Sequence, residues 1–395
     1  MSPTSKIFLW RCLDGFICIF ILSPLVVIYW RGSFQLLDIY IYPSDLFVSA
    51  WISVVVGICG TVLVNVSQNL LHTKVDKIPT KCLQIFCKRL YTYFYGWIIV
   101  VHWRGIWRLW DAYTGTSYAS GCISFAAGCA ILLLLKCFRN VVAPPLVTVS
   151  DFDENYFIIK TLFRTKPSSG VLYLLDSIFS VAVPGSLVVT VWRGLWTALD
   201  GLLETAVAIR TFYISAAFGF GIIVIQFFLQ WPAAYVSKSL EAKCFHSLKI
   251  IFEDCFFLVA CFGVVNLWRA VWGFCDLLVL PEDYTLSNCL CHITGALATM
   301  LLLHGNTVLV RDVQIDGEYT QGRGCWFFSK SLTLFEKKSG LFLSGPIRPE
   351  IISAAPSMVV SKEGQLPEPR EPSSPRENFF EQERLVEQSP QAHGI

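Results

Sequence analysis

Charged residues are scarce in this sequence. They make up 15% of its 395 residues, whereas 54% are hydrophobic and the mean hydropathy is +0.56. Soluble chains carry roughly 25% charged residues, so two or three water-soluble domains are excluded as the main architecture. Charge of one sign is also lacking: the net charge is +2, which gives no basic face for nucleic acid. Paired CxxC knuckles are absent, so no zinc site is expected. Nor does the sequence hold a nucleophile elbow, a phosphate loop, an HExxH helix or paired carboxylates. No enzyme, cofactor or metal is therefore expected. The 15 Cys sit mostly singly in apolar runs and read as small lipid-compatible residues rather than a disulfide framework. A bridge among Cys275, Cys289 and Cys291, which flank one loop, stays open.

What is abundant is long apolar runs. About 20 mainly apolar residues are needed to cross ~30 Å of hydrocarbon. Eight runs qualify: Phe16–Leu37, Leu46–Val66, Tyr91–Trp110, Tyr118–Cys137, Val171–Leu199, Phe212–Leu229, Ile250–Cys275 and Leu286–Leu303. The fold class that follows is an all-α, polytopic bundle of eight transmembrane helices over residues 1–305, with a cytoplasmic, largely disordered tail at 306–395. The first run follows Lys6 and Arg11 as a signal peptide would, but has no convincing small-x-small cleavage site. It reads as a retained signal anchor.

Lys and Arg in short loops mark the cytoplasmic side. One set of connections carries Lys74, Lys77, Lys81, Lys88 and Arg89, then Lys136, Arg139, Lys160, Arg164 and Lys166, then Lys238, Lys243 and Lys249. The opposite connections carry only Arg210 beyond the motifs below, with Asp45, Glu204, Glu282 and Asp283 as acids. Both termini are thus expected in the cytoplasm. The single sequon, Asn65-Val-Ser67, falls at a cytoplasmic helix end and should go unused.

A motif recurs four times, always at the outer end of an odd-numbered helix. Its copies are Trp30-Arg31-Gly32-Ser33-Phe34 leading to Asp38, Trp103-Arg104-Gly105-Ile106-Trp107 to Asp111, Trp192-Arg193-Gly194-Leu195-Trp196 to Asp200, and Trp268-Arg269-Ala270-Val271-Trp272 to Asp276. The pattern is W-R-[GA]-x-[FW]-x3-D, at intervals of 73, 89 and 76 residues. Two spans per period give every copy one orientation, so four parallel two-helix repeats are expected (about 7–70, 85–140, 170–231 and 248–305), related about the membrane normal. Small residues four apart on the even helices, Ser53/Gly57, Ser120/Ser124/Gly128, Ser215/Gly219 and Thr294/Ala298, would let backbones approach.

Within a copy, Arg and Asp are nearly two helical turns, about 10 Å, apart, which is long for a direct pair. An Arg at that depth is costly and should face the bundle interior or a water-filled cavity. Two readings follow. In one, each Arg pairs with an Asp or carbonyl of a neighbouring copy, making a ring that pins the helices together. In the other, the four Arg line an outward vestibule for an anion or acidic headgroup. Snorkelling of Arg to the interface is a third.

Other polar residues share no spacing: His102, Asn266, Gln226 and His304 read as hydrogen-bonded core groups. Asp14, Asp176 and Asp254 stand at inner helix ends, where the helix dipole favours a carboxylate. In the tail, Arg311–Lys338 with Trp326, Phe327 and Phe328 is expected on the inner leaflet, and Cys325 is an acylation candidate. Beyond Pro346 the Pro, Glu and Ser content precludes a core. Ser374-Pro375 and Ser389-Pro390 are candidate phosphorylation sites, Asn378–Val386 a short binding helix, and Gly394-Ile395 a weak PDZ-type end.

Four such motif copies in an eight-span bundle resemble the fuseless family of invertebrate membrane proteins, over about residues 7–305. The resemblance implies a protein of presynaptic terminals that supports voltage-gated calcium channel localisation at active zones, and hence synaptic vesicle release. It implies the lipid bilayer, calcium channels or active-zone scaffold proteins as partners, at the plasma membrane. The leading expectation is a non-enzymatic organiser of other membrane proteins. The alternatives are a transporter or channel with an Arg-lined anion vestibule, and a lipid scramblase or lipid-binding protein with a lateral groove.

Overall fold

The computed structural model describes residues 3–152, 155–204 and 207–326, with side chains from residue 8. The candidate phosphorylation sites, the Asn378–Val386 helix, Phe327, Phe328 and Gly394-Ile395 lie outside the described residues. Within them the chain is all-α. Helix α1 (Pro3–Ile17) runs through a π-helical turn, Cys18–Leu22, into α2 (Ser23–Tyr40). Then come α3 (Leu46–Asp76), α4 (Lys81–Thr114) and α5 (Tyr118–Leu134). A second interrupted rod follows: α6 (Val171–Ser180), a π-turn Val181–Gly185, and α7 (Ser186–Leu202). Helices α8 (Ala208–Ala242), α9 (His246–Leu278) and α10 (Tyr284–Leu301) complete eight rods. The first π-turn ends just before the Ser23-Pro24 start of α2, and the second contains Pro184. Proline has no N–H to continue the ladder, and a one-residue slip to π spacing accommodates the loss without ending the helix.

Five of these rods are long and apolar enough to cross a membrane: Phe8–Tyr40, Leu46–Asp76, Val171–Leu202, Ala208–Ala242 and His246–Leu278. Three short acidic or hydroxyl connections cap the helices that follow. The Asp45 carboxylate accepts from Phe47 N and Val48 N, Ser117 Oγ from Ser120 N, and Asp283 from Leu286 N.

Four rods ending in α2, α4, α7 and α9 form an inner ring, each touching the next, with α9 returning to α2. Each outer helix lies tightly against one inner helix: α3 on α4, α5 on α7, α8 on α9, and α10 on α2. The close pair is therefore an outer helix and the next inner helix in the chain, with α10 returning to α2, not the two helices joined across the motif end. Glycines explain the intimacy. A Cβ on Gly57, Gly219 or Gly295 would land on the backbone of His102, Leu267 or Tyr29, each the residue just before a motif Trp. From the other side, Gly32, Gly105 and Gly194 of the motif meet the backbones of His292, Val54 and Phe125. The expected fourth small pair, Thr294/Ala298, is corrected: Thr294 is exposed, and Gly295 makes the contact instead.

The opposite end of the bundle is stoppered. After α5 the chain makes a 3-10 turn, Phe138–Val141, and after α10 another, Gly305–Val308. Each is held by a carboxylate from the other segment. Asp316 accepts from Phe138 N (2.7 Å) and Arg139 N (2.9 Å), while Asp151 accepts from Gly305 N and Asn306 N (2.9 Å each). The backbones reciprocate, with Asp151 N on Leu303 O and Asp316 N on Lys136 O, both at 2.8 Å. Arg89 pairs with Asp151 as well. Asp176, at the start of the α6 rod, accepts from Thr161 and Thr165 hydroxyls at 2.7 Å and so ties the same loop down. Val141, Leu146, Ile159, Val308 and Leu309 enter the core.

The expected boundary at residue 305 therefore moves. Residues 306–326 pack into the bundle as this plug, with Asn306 and Cys325 at 0% exposure. A leaflet-lying Arg311–Trp326 and an acylated Cys325 do not fit that burial. All 15 Cys are free thiols, Cys275, Cys289 and Cys291 included.

Candidate functional site: a closed arginine–aspartate ring

Trp30, Trp103, Trp192 and Trp268 meet at the bundle axis. Their rings pack edge to face in a closed square, Trp30–Trp103 at 5.2 Å, Trp103–Trp192 at 5.6 Å, Trp192–Trp268 at 5.1 Å and Trp268–Trp30 at 5.8 Å between centroids. One helical turn further on, Phe34, Trp107, Trp196 and Trp272 form a second square at 6.2, 5.7, 5.6 and 5.8 Å. Edge-to-face contact suits the ring quadrupole and contributes about 0.5–1.5 kcal/mol per pair beyond burial. Two aromatic layers thus fill the axis.

The Arg next to each Trp leaves the axis and runs between inner and outer helices. Each meets the Asp of the copy before it. Arg104 Nε lies 2.7 Å from Asp38, Arg193 Nη2 3.0 Å from Asp111, Arg269 Nε 2.7 Å from Asp200, and Arg31 Nε 2.8 Å from Asp276. The last pair closes the circle. The four Arg side chains are 0–3% exposed, whereas the Asp partners range from 6% at Asp111 to 52% at Asp200. An unpaired buried cation would be prohibitive; here guanidinium planes serve a carboxylate and hydroxyls together, which Lys could not do.

Those hydroxyls come from the outer helices. Arg104 donates to Ser49 and Ser53 Oγ, 2.7 Å each, and Arg193 to Ser120 (2.8 Å) and Ser124 (3.3 Å). Arg269 donates to Ser215 at 2.6 Å, and Arg31 to Ser287 at 3.3 Å and Cys291 Sγ at 3.1 Å. One hydroxyl of each outer helix also clips the end of the preceding inner helix: Ser49 donates to Ile41 O, Ser120 to Gly115 O, Thr211 to Leu203 O and Ser287 to Val279 O. The even helices therefore carry their own pattern, [ST]-x3-[SC]-x3-G: Ser49/Ser53/Gly57, Ser120/Ser124/Gly128, Thr211/Ser215/Gly219 and Ser287/Cys291/Gly295. Ser49, Thr211, Ser287 and Cys291 escaped the reading of small residues alone; aligning the even helices on their hydroxyls finds them. Arg108 was missed too. It bridges Asp38 at 2.5 Å and Asp111 at 3.1 Å.

The scattered polar residues lie elsewhere. His102 shares a hydrogen bond with Ser186 Oγ at 3.2 Å, Asn266 donates to Phe262 O at 2.9 Å, and Gln226 to Phe256 O at 3.3 Å. His304 lies beyond α10 rather than inside a helix. Asn65 is 2% exposed. Among the described residues no group of three or more His, Cys, Asp or Glu is placed to hold a metal.

Residues 9–309 match the Fuseless family, a span that contains all four motif copies, every Arg–Asp pair and both plug turns. No curated protein and no solved structure matches the chain. The apolar rods and the family agree on a multi-pass membrane protein. By the match across most of its length, this chain belongs to the Fuseless family.

Proposed function

We propose that the protein is a non-enzymatic, eight-pass plasma-membrane organiser, built from four parallel two-helix repeats, that gathers other membrane proteins. At a presynaptic terminal these would be voltage-gated calcium channels and their active-zone scaffolds, and the outcome would be vesicle release. The observation that carries this reading is the closed ring. Every motif Arg is paired with an Asp, and two aromatic layers fill the axis beside it, so the motif serves cohesion. An anion vestibule would need Arg side chains free of carboxylates. The basic residues Lys88, Arg89 and Lys160 at the plug end support the reading that this end and both termini are cytoplasmic, by the positive-inside rule. Partner contacts then fall to the cytoplasmic connections and to residues 327–395.

The test is exchange of residues 327–395, and separately of connections 77–80 and 243–245, for unrelated sequence in the full chain. Loss of channel clustering with normal surface expression supports the proposal. Clustering that survives all the exchanges removes it. Anion flux in proteoliposomes that disappears in ring variants of normal stability would put the transporter reading first.

A further inference from the structure

The first Trp layer rests on the plug. Trp30 Nε1 donates to Val308 O at 3.0 Å, Trp192 Nε1 to Val141 O at 2.8 Å, and Trp268 Nε1 to Pro144 O at 2.8 Å. The fourth, Trp103, has no such carbonyl among the described residues. It borders a cavity of about 370 Å³ instead, within the usual size range of small-molecule sites, about 300–1,000 Å³. The fourfold support is broken at one position, and the space lies there.

The walls of this cavity are specific. Asn65 and Thr61 of α3 line it, 2% and 8% exposed, and Asn65 Oδ1 and Thr61 Oγ1 have no hydrogen-bond partner among the described residues. Buried polar atoms left in that state are uncommon and costly. Val142, Ala143, Ile159 and Val188 give apolar sides. Its lining holds three cations, Arg139, Lys160 and Arg311, and one carboxylate, Asp312; Arg139 also donates to Gly324 O, and Arg311 to Tyr156 O. A donor at Trp103 and an acceptor at Asn65 in one lining fit a hydroxyl, which accepts and donates at once. The excess of cations fits an anion.

The geometry points to a binding site for an amphipathic organic anion, its carboxylate or phosphate met by Arg139, Lys160 and Arg311 and a hydroxyl by the Trp103 N–H and Asn65 Oδ1 of the same lining. The inference stands apart from the organiser reading, since neither ring pairing nor clustering enters it.

The test uses the full chain in uncharged detergent, with thermal unfolding and native mass spectrometry as readouts. The probes are 12-hydroxydodecanoate, dodecanoate, 1,12-dodecanediol and dodecyl phosphate. The hydroxy acid is expected to raise Tm saturably and to be retained as one equivalent, with dodecanoate about tenfold weaker and the diol without effect. Trp103→Phe should weaken the hydroxy acid about tenfold and leave dodecanoate unchanged; Trp192→Phe, whose N–H is already engaged, should not discriminate. At Gly185 an added Cβ meets only His102 Cε1 at 3.4 Å and Ser180 O at 3.6 Å, ordinary contacts. Gly185→Leu should therefore fold, fill the space and abolish the shift. Dodecyl phosphate matching or exceeding dodecanoate keeps the proposal and names a phosphate head as the source; the reverse names a free carboxylate. The proposal is overturned by no saturable shift in the unaltered chain, by a diol as effective as the acids, or by a shift that survives Gly185→Leu. The probe comparison on the unaltered chain decides alone if a variant does not fold.

Discussion

Arg31 and Asp276 are 245 residues apart in the chain and 2.8 Å apart in the structure. Their contact joins the first rod to the ninth helix and turns a row of four similar ion pairs into a circle. Its value can be measured by a double-mutant cycle. Asp276→Ala strands Arg31, which is 1% exposed, whereas Arg31→Ala strands an Asp276 that water reaches at 36% exposure. The first substitution is expected to cost about 3–5 kcal/mol and the second less, with the double no worse than Asp276→Ala alone. Unfolding in detergent and surface expression report it; additive losses would show that the two residues do not act as a pair.

The four pairs are unequal in access to water. Asp111 is 6% exposed and serves both Arg193 and Arg108, while Asp200 is 52% exposed. Asp111→Asn should therefore cost about 3 kcal/mol or more, and Asp200→Asn about 1 kcal/mol, because water replaces the lost charge partner there. Equal losses in thermal stability would contradict this ranking.

Backbone proximity predicts a contrast among glycines. Gly194→Ala pushes a methyl into the Phe125 backbone of α5 and should destabilise by about 1–3 kcal/mol. Gly221→Ala meets nothing within 4 Å, and replacing a helical glycine there should be neutral or stabilising by up to about 1 kcal/mol. The two midpoints, measured side by side, check the reading.

Asp316 is a buried clasp. Burial raises its carboxyl pKa above the ordinary value, opposed by the N–H donors of Arg139 and Phe138 and the charge of Arg139. An acid whose folded-state pKa is raised contributes most below its unfolded value, about 3.9, and loses that contribution as pH rises through the folded value. Asp316→Asn cannot ionise but offers one acceptor oxygen where Phe138 N and Arg139 N use separate oxygens, so at pH 7 it should cost about 1 kcal/mol, less than loss of both acceptors. Asp316→Ala leaves two N–H groups without an acceptor and should cost about 1–3 kcal/mol. Hydrogen exchange at residues 138–139 and proteolysis within 305–326 would follow the plug; Asn behaving like Ala would refute the argument.

The rods were legible because apolar length and the W-R-[GA]-x-[FW]-x3-D spacing are local signals. The intervals of that motif also marked Arg31, Arg104, Arg193 and Arg269 as residues of like depth. Which Asp each Arg would meet was not legible, since an Arg seven residues from its own Asp carries no information about a neighbouring rod. The hydroxyl cradle was half hidden because Cys291 stands where the other copies have Ser, and an eye set for small residues passed from it to Thr294. The plug was invisible for a different reason. Residues 136–165 and 302–326 have neither helical nor alternating periodicity, and their order comes from contacts such as Asp151 with Gly305 and Asp316 with Phe138, made over more than a hundred positions.

Because α10 packs on α2, the first inner helix is the last to receive its outer partner. During synthesis Arg31 waits, without Ser287, Cys291 or Asp276, while more than two hundred residues are made. A product cut short before Asp276 retains that cation without its carboxylate. Completion of the polypeptide is thereby recorded at its beginning: the state of one early arginine distinguishes a finished molecule from a fragment, and a quality-control factor that binds unpaired charge in the bilayer would have its mark.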